Sequence, residues 1–485
     1  MKNKLNEIEH IVVVMMENRS FDHMLGYLYS DKGNKSPLGH DFDGLTGKEF
    51  NLDKQGNKHP VFPITNKTSN PYFMPLADPG EGYSNTNSQL FSTIKEPNPI
   101  TPAKMDGFVT NFDYTLGWQK KPNSGWKIIG NPTGKDIMGC YSPEMLPVLS
   151  TLAKEYAVSD AWFGSAPTET LPNRAFLHMS TSQGILSDKS QSVYTAKSIF
   201  HSLQAAGKTW ACYGYDSDPL VRNLVADITH AQNSHFGDFA AFQQAAKEGT
   251  LANHVFLEPK WGPKGNSQHP NYDVSKGEQY MKQVYDAVRN SPCWDKTLLI
   301  ITYDEHGGCY DHVSPPENAV NPEPGKIGQN NFNFQRFGPR VPTVLISPLI
   351  EAGTVIRAEG ATPYDHTSIN KTIQKRFGLD PLTERDKAAP CISDVLTLDK
   401  PRTDNPLEKI TPPTSGDDTT LEDTPSHLQM VMAHNASQLP IQDEHENGEH
   451  HVCPDFKTGS DVMKYINDRH KHYFHDYYHH DYDYE

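Results

Sequence analysis

Six short stretches of the chain are apolar and rich in β-branched or aromatic residues: Ile11–Met15, Tyr156–Val158, Thr209–Tyr213, His254–Leu257, Thr297–Tyr303 and Val341–Ile346. Such runs are too short for buried helices and read as strands covered on both faces. Between them the period changes. In "LPVLSTLAKEY", Leu146, Leu149, Leu152 and Tyr156 recur every three or four residues, the spacing of one helix face. "SIFHSLQAAG" repeats that spacing and stops at a glycine, and "GEQYMKQVYDAVRNSP" carries it up to Pro292. Strands alternating with helices of this kind predict an α/β fold with a mostly parallel central sheet flanked by helices. Ligands then gather at the carboxyl ends of the strands.

Two segments break the pattern. From about 41 to 135 the chain is rich in Asn, Gly, Pro and Lys with little periodicity, which predicts a loop-rich insertion over one end of the sheet. Residues 1–400 are therefore expected to form one catalytic domain containing that insertion. Residues 401–485 are expected to form a linker, one short helix in "SHLQMVMAHNASQL" and a His/Tyr/Asp tail, "HKHYFHDYYHHDYDYE". The tail reads either as a metal-collecting sequence or, more plainly, as a solvated, disordered end.

Composition narrows the chemistry. The net charge of −16 runs against non-specific nucleic-acid binding, which needs Lys and Arg to neutralise phosphates. It is compatible with a small anionic substrate held through a metal ion. No apolar stretch is long enough to span a bilayer. The first ten residues lack the apolar core of a signal peptide, so the chain as written reads as cytoplasmic, or as secreted if a signal was removed. The six cysteines form no CxxC pair. Nothing in the pattern speaks to oligomeric state.

The strand exits are where chemistry concentrates. Ile11–Met15 leads into Glu17-Asn18, Thr297–Tyr303 into Asp304-Glu305-His306-Gly307-Gly308, and Val341–Ile346 into Ser347-Pro348. Carboxylates at the end of a buried strand are costly unless a cation pairs with them. If the first two strands are neighbours, three carboxylates and an amide converge, a donor set for a hard or borderline divalent ion. The glycines after His306 would let backbone approach a ligand closely. The hydroxyl-rich segment "SAPTETLPNRAFLHMSTSQG" offers Ser165, Thr168, Thr170, Ser180, Thr181 and Ser182 as nucleophiles that a metal could activate, and spacing does not choose among them.

Six segments occur in order: "ENRSFDHMLG", "TLPNR", "HPNYDVSKGE", "YDEHGGCYDHV", "GPRVPTVLISPL" and "YDHTSI". Together they resemble the phosphoesterase family of bacterial phospholipases C, plant non-specific phospholipases C and certain bacterial acid phosphatases, over about His10 to Leu382. The resemblance implies an alkaline-phosphatase-like fold. It also implies Thr170 as the nucleophile, and Glu17, Asn18, Asp304 and Glu305, with the Thr170 oxygen, as ligands of one divalent ion (Ca, Mg, Mn or Zn). His269 matches a histidine that contacts the phosphoryl group or protonates the leaving group. Family members commonly carry a DPxH-type segment whose histidine lines the site; here the chain reads Ala77-Asp78-Pro79-Gly80-Glu81. Glu81 there implies either a proton donor, if desolvation raises its pKa, or an altered leaving-group preference or pH optimum. Arg19 and Arg174 are candidates to clamp phosphate, or to pair with a neighbouring carboxylate. His23, His306, His312 and His366 lie inside the motifs as orienting or packing groups. The implied activity is phospholipase C cleavage of a phospholipid headgroup phosphodiester through a phospho-threonine. The alternatives are an acid-phosphatase-type monoesterase and, in another class, a non-catalytic metal-binding protein.

Overall fold

The computed structural model describes residues 4–98, 100–190, 193–417, 419–439, 441 and 452–480. Its centre is an eight-stranded sheet: β1 His10–Met16, β2 Ala157–Ser159, β3 Trp210–Tyr213, β4 Phe236–Gly237, β5 His254–Leu257, β6 Thr297–Tyr303, β7 Thr343–Ile346 and β8 Thr354–Ile356. The spatial order is β8-β2-β7-β6-β1-β5-β3-β4. β1 lies between β5 and β6 and is parallel to both, with Met16 level with Tyr303. All pairings are parallel except those of β7, which is antiparallel to both β6 and β2. β1 and β6 are apolar along nearly their whole length because helices cover both faces of the sheet.

Among the longer helices are α1 Tyr83–Phe91, α2 Phe108–Gln119, α3 Pro147–Glu155, α4 Thr170–Met179, α5 Val274–Arg289, α6 Thr367–Phe377, α7 His427–Ser437 and α8 Gly459–His480. α5 starts at Asp273, whose carboxylate accepts from the Ser275 N–H, and buries Tyr280, Met281, Val284, Tyr285 and Val288 on one face. The Glu278 carboxylate on that helix accepts the backbone N–H groups of Val148 and Leu149 at 2.6 and 3.0 Å. Two otherwise unpartnered donors at the start of α3 are thereby satisfied inside the core.

Three expectations change. Val341–Ile346 forms a strand, but a reversed one, so its exit at Ser347-Pro348 lies on the edge opposite the exits of β1 and β6. Its leading residue Arg340 lies on their edge instead. Residues 41–135 are more ordered than their composition suggests. They contain α1 and α2, and Leu90, Phe108, Phe112 and Leu116 build a separate small core with Ile137 and Met138. The His/Tyr/Asp tail begins inside α8, which extends to His480, while residues 481–485 lie outside the described residues. Among the described residues no helix is long and apolar enough to cross a membrane.

Candidate active site

β1 and β6 end side by side and deliver Glu17-Asn18 and Asp304-Glu305 to one edge. The backbone turns sharply there: Asn18 has φ 55°, a left-handed conformation that Asn tolerates better than most residues. Its N–H donates to Asp304 Oδ1 at 2.8 Å. Gly307 and Gly308 also have positive φ, and a Cβ on Gly307 would lie 2.0 Å from the Asn18 carbonyl oxygen. The glycines bring the loop against the Asn18 backbone.

Thr170 opens α4, and its Oγ1 donates to Asn18 Oδ1 at 3.0 Å. Of the six candidate hydroxyls it is therefore the one hydrogen-bonded to the β1 exit; Thr168 instead donates to the Leu186 carbonyl. The Asn18 side-chain amide donates to Glu81. Glu81 Oε2 lies 3.8 Å from His269 Nε2, and Asp78 Oδ1 lies 4.0 Å from His269 Nδ1. A continuous polar path thus runs from the Thr170 hydroxyl through Asn18 and Glu81 to the imidazole.

The electrostatics of this edge are lopsided. Burial pushes the Glu17 carboxyl up to about 7, and Asp304 and Asp78 each to about 6. Glu81 and Glu305 are also raised, first by burial and then by neighbouring carboxylates. Arg174 is the cation set among them, its guanidinium 3.0 Å from Asp304 Oδ2 and also bonded to the carbonyls of Met15 and Met16. Asp304 Oδ1 also accepts from the N–H groups of Asn18 and Glu305. Glu17 Oε2 and Glu305 Oε1 are buried without a hydrogen-bond partner.

Of the two candidate phosphate clamps, Arg174 pairs with Asp304 and keeps its Nη1 buried without a hydrogen-bond partner. Arg19 spends its guanidinium on the carbonyls of Gln268, His269 and Met74 and on the His23 ring, so it shapes the loop carrying His269. His366 Nε2 contacts the Asp304 carbonyl at 2.6 Å, and His306 Nε2 contacts Gln89 Oε1 at 2.6 Å. His312 pairs with Asp22 and Asp43 and sits away from the nucleophile.

Among the described residues, two acid-histidine groups have ligand atoms within 4.8 Å of one another: Asp78–Glu81–His269 and Asp22–Asp311–His312. Neither includes Glu17, Asp304 or Glu305. The second is filled by Arg340, whose guanidinium lies 2.9 Å from both Asp22 Oδ1 and Asp311 Oδ1. Sequence reasoning missed Asp78, Glu169 and Asp188. Asp188 Oδ1 accepts the Leu171 N–H at 2.8 Å and so holds the first turn of α4, while its own N–H donates to Glu169 at 2.6 Å. The local signals were Asp78-Pro79 in the segment compared with the DPxH type and Glu169 preceding Thr170.

Beside His269 the edge opens into a cavity of about 530 Å³ walled by Trp118, Trp126, Tyr272, His427 and Met430.

Residues 8–380 match the Phosphoesterase family. Non-specific phospholipase C1 of Arabidopsis thaliana is 37% identical over 421 residues, which cover 82% of this chain and 73% of that protein. Non-specific phospholipase C3 of the same plant is 34% identical over 423 residues, 82% of this chain and 75% of its own. A non-hemolytic phospholipase C of Burkholderia pseudomallei (strain K96243) is 25% identical over 428 residues, 77% of this chain and 55% of its own. Among solved structures, an alkaline phosphatase superfamily protein from Vibrio parahaemolyticus overlaps 51% of this chain and 64% of its own, with TM-score 0.31 and 14% identity.

Proposed function

Because the chain belongs to the phosphoesterase family, and is thus a hydrolase of phosphoester bonds, we propose that it is a metal-dependent phospholipase C type enzyme acting through a phospho-threonine. The observation that carries the metal is the charge imbalance around Thr170. Glu17 and Glu305 each keep a buried carboxylate oxygen unpartnered, and Arg174 is already committed to Asp304. Buried carboxylates so arranged fit a divalent cation. Glu17, Asn18, Thr170, Asp304 and Glu305 would hold it, and when bound it supplies positive charge that stabilises an ionised hydroxyl and polarises the phosphoryl oxygens.

The residues of the chain then divide the work. Thr170 Oγ1 attacks phosphorus in line; the Oγ1–P bond forms and the bond from phosphorus to the alcohol oxygen breaks. His269, as imidazolium, gives the Nε2 proton to that departing oxygen. The same nitrogen then takes a proton from the water that attacks the phospho-threonine, restoring Thr170. Glu81, joined to Thr170 through Asn18 and facing His269, buffers the proton between these steps. The start of α4 places Thr170 where backbone N–H dipoles favour negative charge. The cavity beside His269 leaves room for the organic part of a diester, which supports the phospholipid reading.

The deciding experiment is Thr170→Ala assayed with added divalent metal on phosphatidylcholine and on p-nitrophenyl phosphate. Turnover should fall on the order of 10³-fold or more, as when a covalent nucleophile is removed. Near-native rates would reject the threonine mechanism. Higher wild-type efficiency on the aryl phosphate than on the phospholipid would assign a monoesterase instead.

A further inference from the structure

The cavity beside His269 has two walls of different origin. One comes from the family-matched region: Trp118 at the end of α2, Trp126 after it, and Tyr272, its ring tilted against that of His269 at 5.0 Å. The other comes from residues 424–430, beyond the last family-matched residue, where His427 and Met430 face the same space.

The second wall is firmly attached. α7 begins with a reciprocal cap in which Ser426 and Gln429 exchange side-chain and backbone hydrogen bonds. The His427 ring lies 5.1 Å from that of Trp126, tying the two walls together. Asn435, two turns further along α7, donates to the Asp188 carbonyl at 2.7 Å. Asp188 is the residue whose carboxylate holds the first turn of the Thr170 helix. The C-terminal segment is therefore seated on the element that positions the nucleophile. His427 itself is exposed to the cavity, and its ring nitrogens make no hydrogen bond among the described residues. An imidazole held at a cleft mouth with both nitrogens free is a donor and acceptor waiting for a ligand.

We propose that residues 424–430 are a substrate-contacting wall of the catalytic cleft and that His427 is a specificity-determining residue, touching the organic group of the phosphoester beside Trp126. This rests on the phosphoesterase reading above. A small aryl phosphate occupies the phosphoryl site without filling the cavity, whereas a phospholipid fills it. Removing His427 should therefore penalise the phospholipid selectively.

The test uses the full chain loaded with divalent metal. kcat/KM is measured for His427→Ala on phosphatidylcholine in mixed micelles and on p-nitrophenyl phosphate. The expected result is a loss at least tenfold greater on the phospholipid, seen mainly in KM, while His434→Ala, an exposed histidine on the same helix, leaves the ratio of the two substrates at the wild-type value. If His427→Ala fails to fold, Trp126→Phe on the facing wall must shift the ratio in the same direction. Equal losses on both substrates, or no loss on either, would overturn the proposal while leaving the phosphoesterase reading intact. A wild-type protein inert on both substrates would overturn that reading and this inference with it.

Discussion

Glu17 combines full burial with a carboxylate oxygen that nothing in the protein satisfies. Its pKa is raised from 4.5 to about 7, so the folded state holds its proton to higher pH than the unfolded state does. The stabilisation this gives is complete below pH 4.5 and is lost as pH rises through about 7, a contribution on the order of 3 kcal/mol. Asp304 and Asp78, raised to about 6, add in the same direction. In chelator, urea midpoints should fall as pH rises from 4.5 to 7, and added divalent metal should restore them at the upper end. A midpoint that rises with pH in chelator would contradict the charge imbalance. Arg340 is the opposite case, a buried cation whose partners are complete. Arg340→Met leaves Asp311 buried without its cation and Asp22 with His312 alone, and should cost about 3–5 kcal/mol in chemical denaturation. Glu17, Asn18, Asp304 and Glu305 could be read from the chain because polar residues followed buried strands. Asp78 and Asp188 could not, because a lone aspartate in a Gly/Pro or Ser/Lys loop looks solvated until the fold closes over it.

Between residues and fold stand the strand exits, and here direction decided what was legible. The composition of 341–346 announced a strand, but nothing local distinguishes a parallel from an antiparallel partner. That information resides in the crossovers before and after it. With β7 reversed, Ser347-Pro348 leaves the edge and Arg340 joins it. The exit of β6 shows a second limit. Gly307 was read as room for a ligand, whereas the space is taken by the Asn18 backbone. Gly307→Ala places a methyl into the Asn18 carbonyl and should lower both melting temperature and turnover by displacing Asn18 from Thr170. Gly33→Ala, at φ 64° with nothing within 4 Å, isolates the backbone cost alone, about 1 kcal/mol, and should leave turnover unchanged. Equal effects of the two substitutions would show that the close approach at Gly307 is unimportant.

Across the whole molecule, the eight-stranded α/β sheet was legible from alternating periods. The second small core in residues 41–135 was not, because its apolar residues are spread among polar turns and meet only in three dimensions. The charge of −16 acts at this scale. An acidic protein is repelled by anionic surfaces, and salt screens that repulsion over about 8–10 Å at physiological strength. Hydrolysis of phosphatidylcholine in vesicles doped with anionic lipid should be slower than in neutral vesicles at low salt, and the gap should narrow as salt is added. A gap that widens with salt would point to a local cationic docking face instead.

The Arg340 pairing has one more consequence. Two acid clusters sit at the same edge of the sheet, and the chain already supplies a tenant for one of them. Because the Arg340 guanidinium is covalently tethered between Asp22 and Asp311, an ion from solution would compete against an occupant whose local concentration never falls. Buried carboxylate oxygens without a hydrogen-bond partner lie instead at Glu17 and Glu305. The protein discriminates between two chemically similar nests of carboxylates by furnishing one of them from its own sequence.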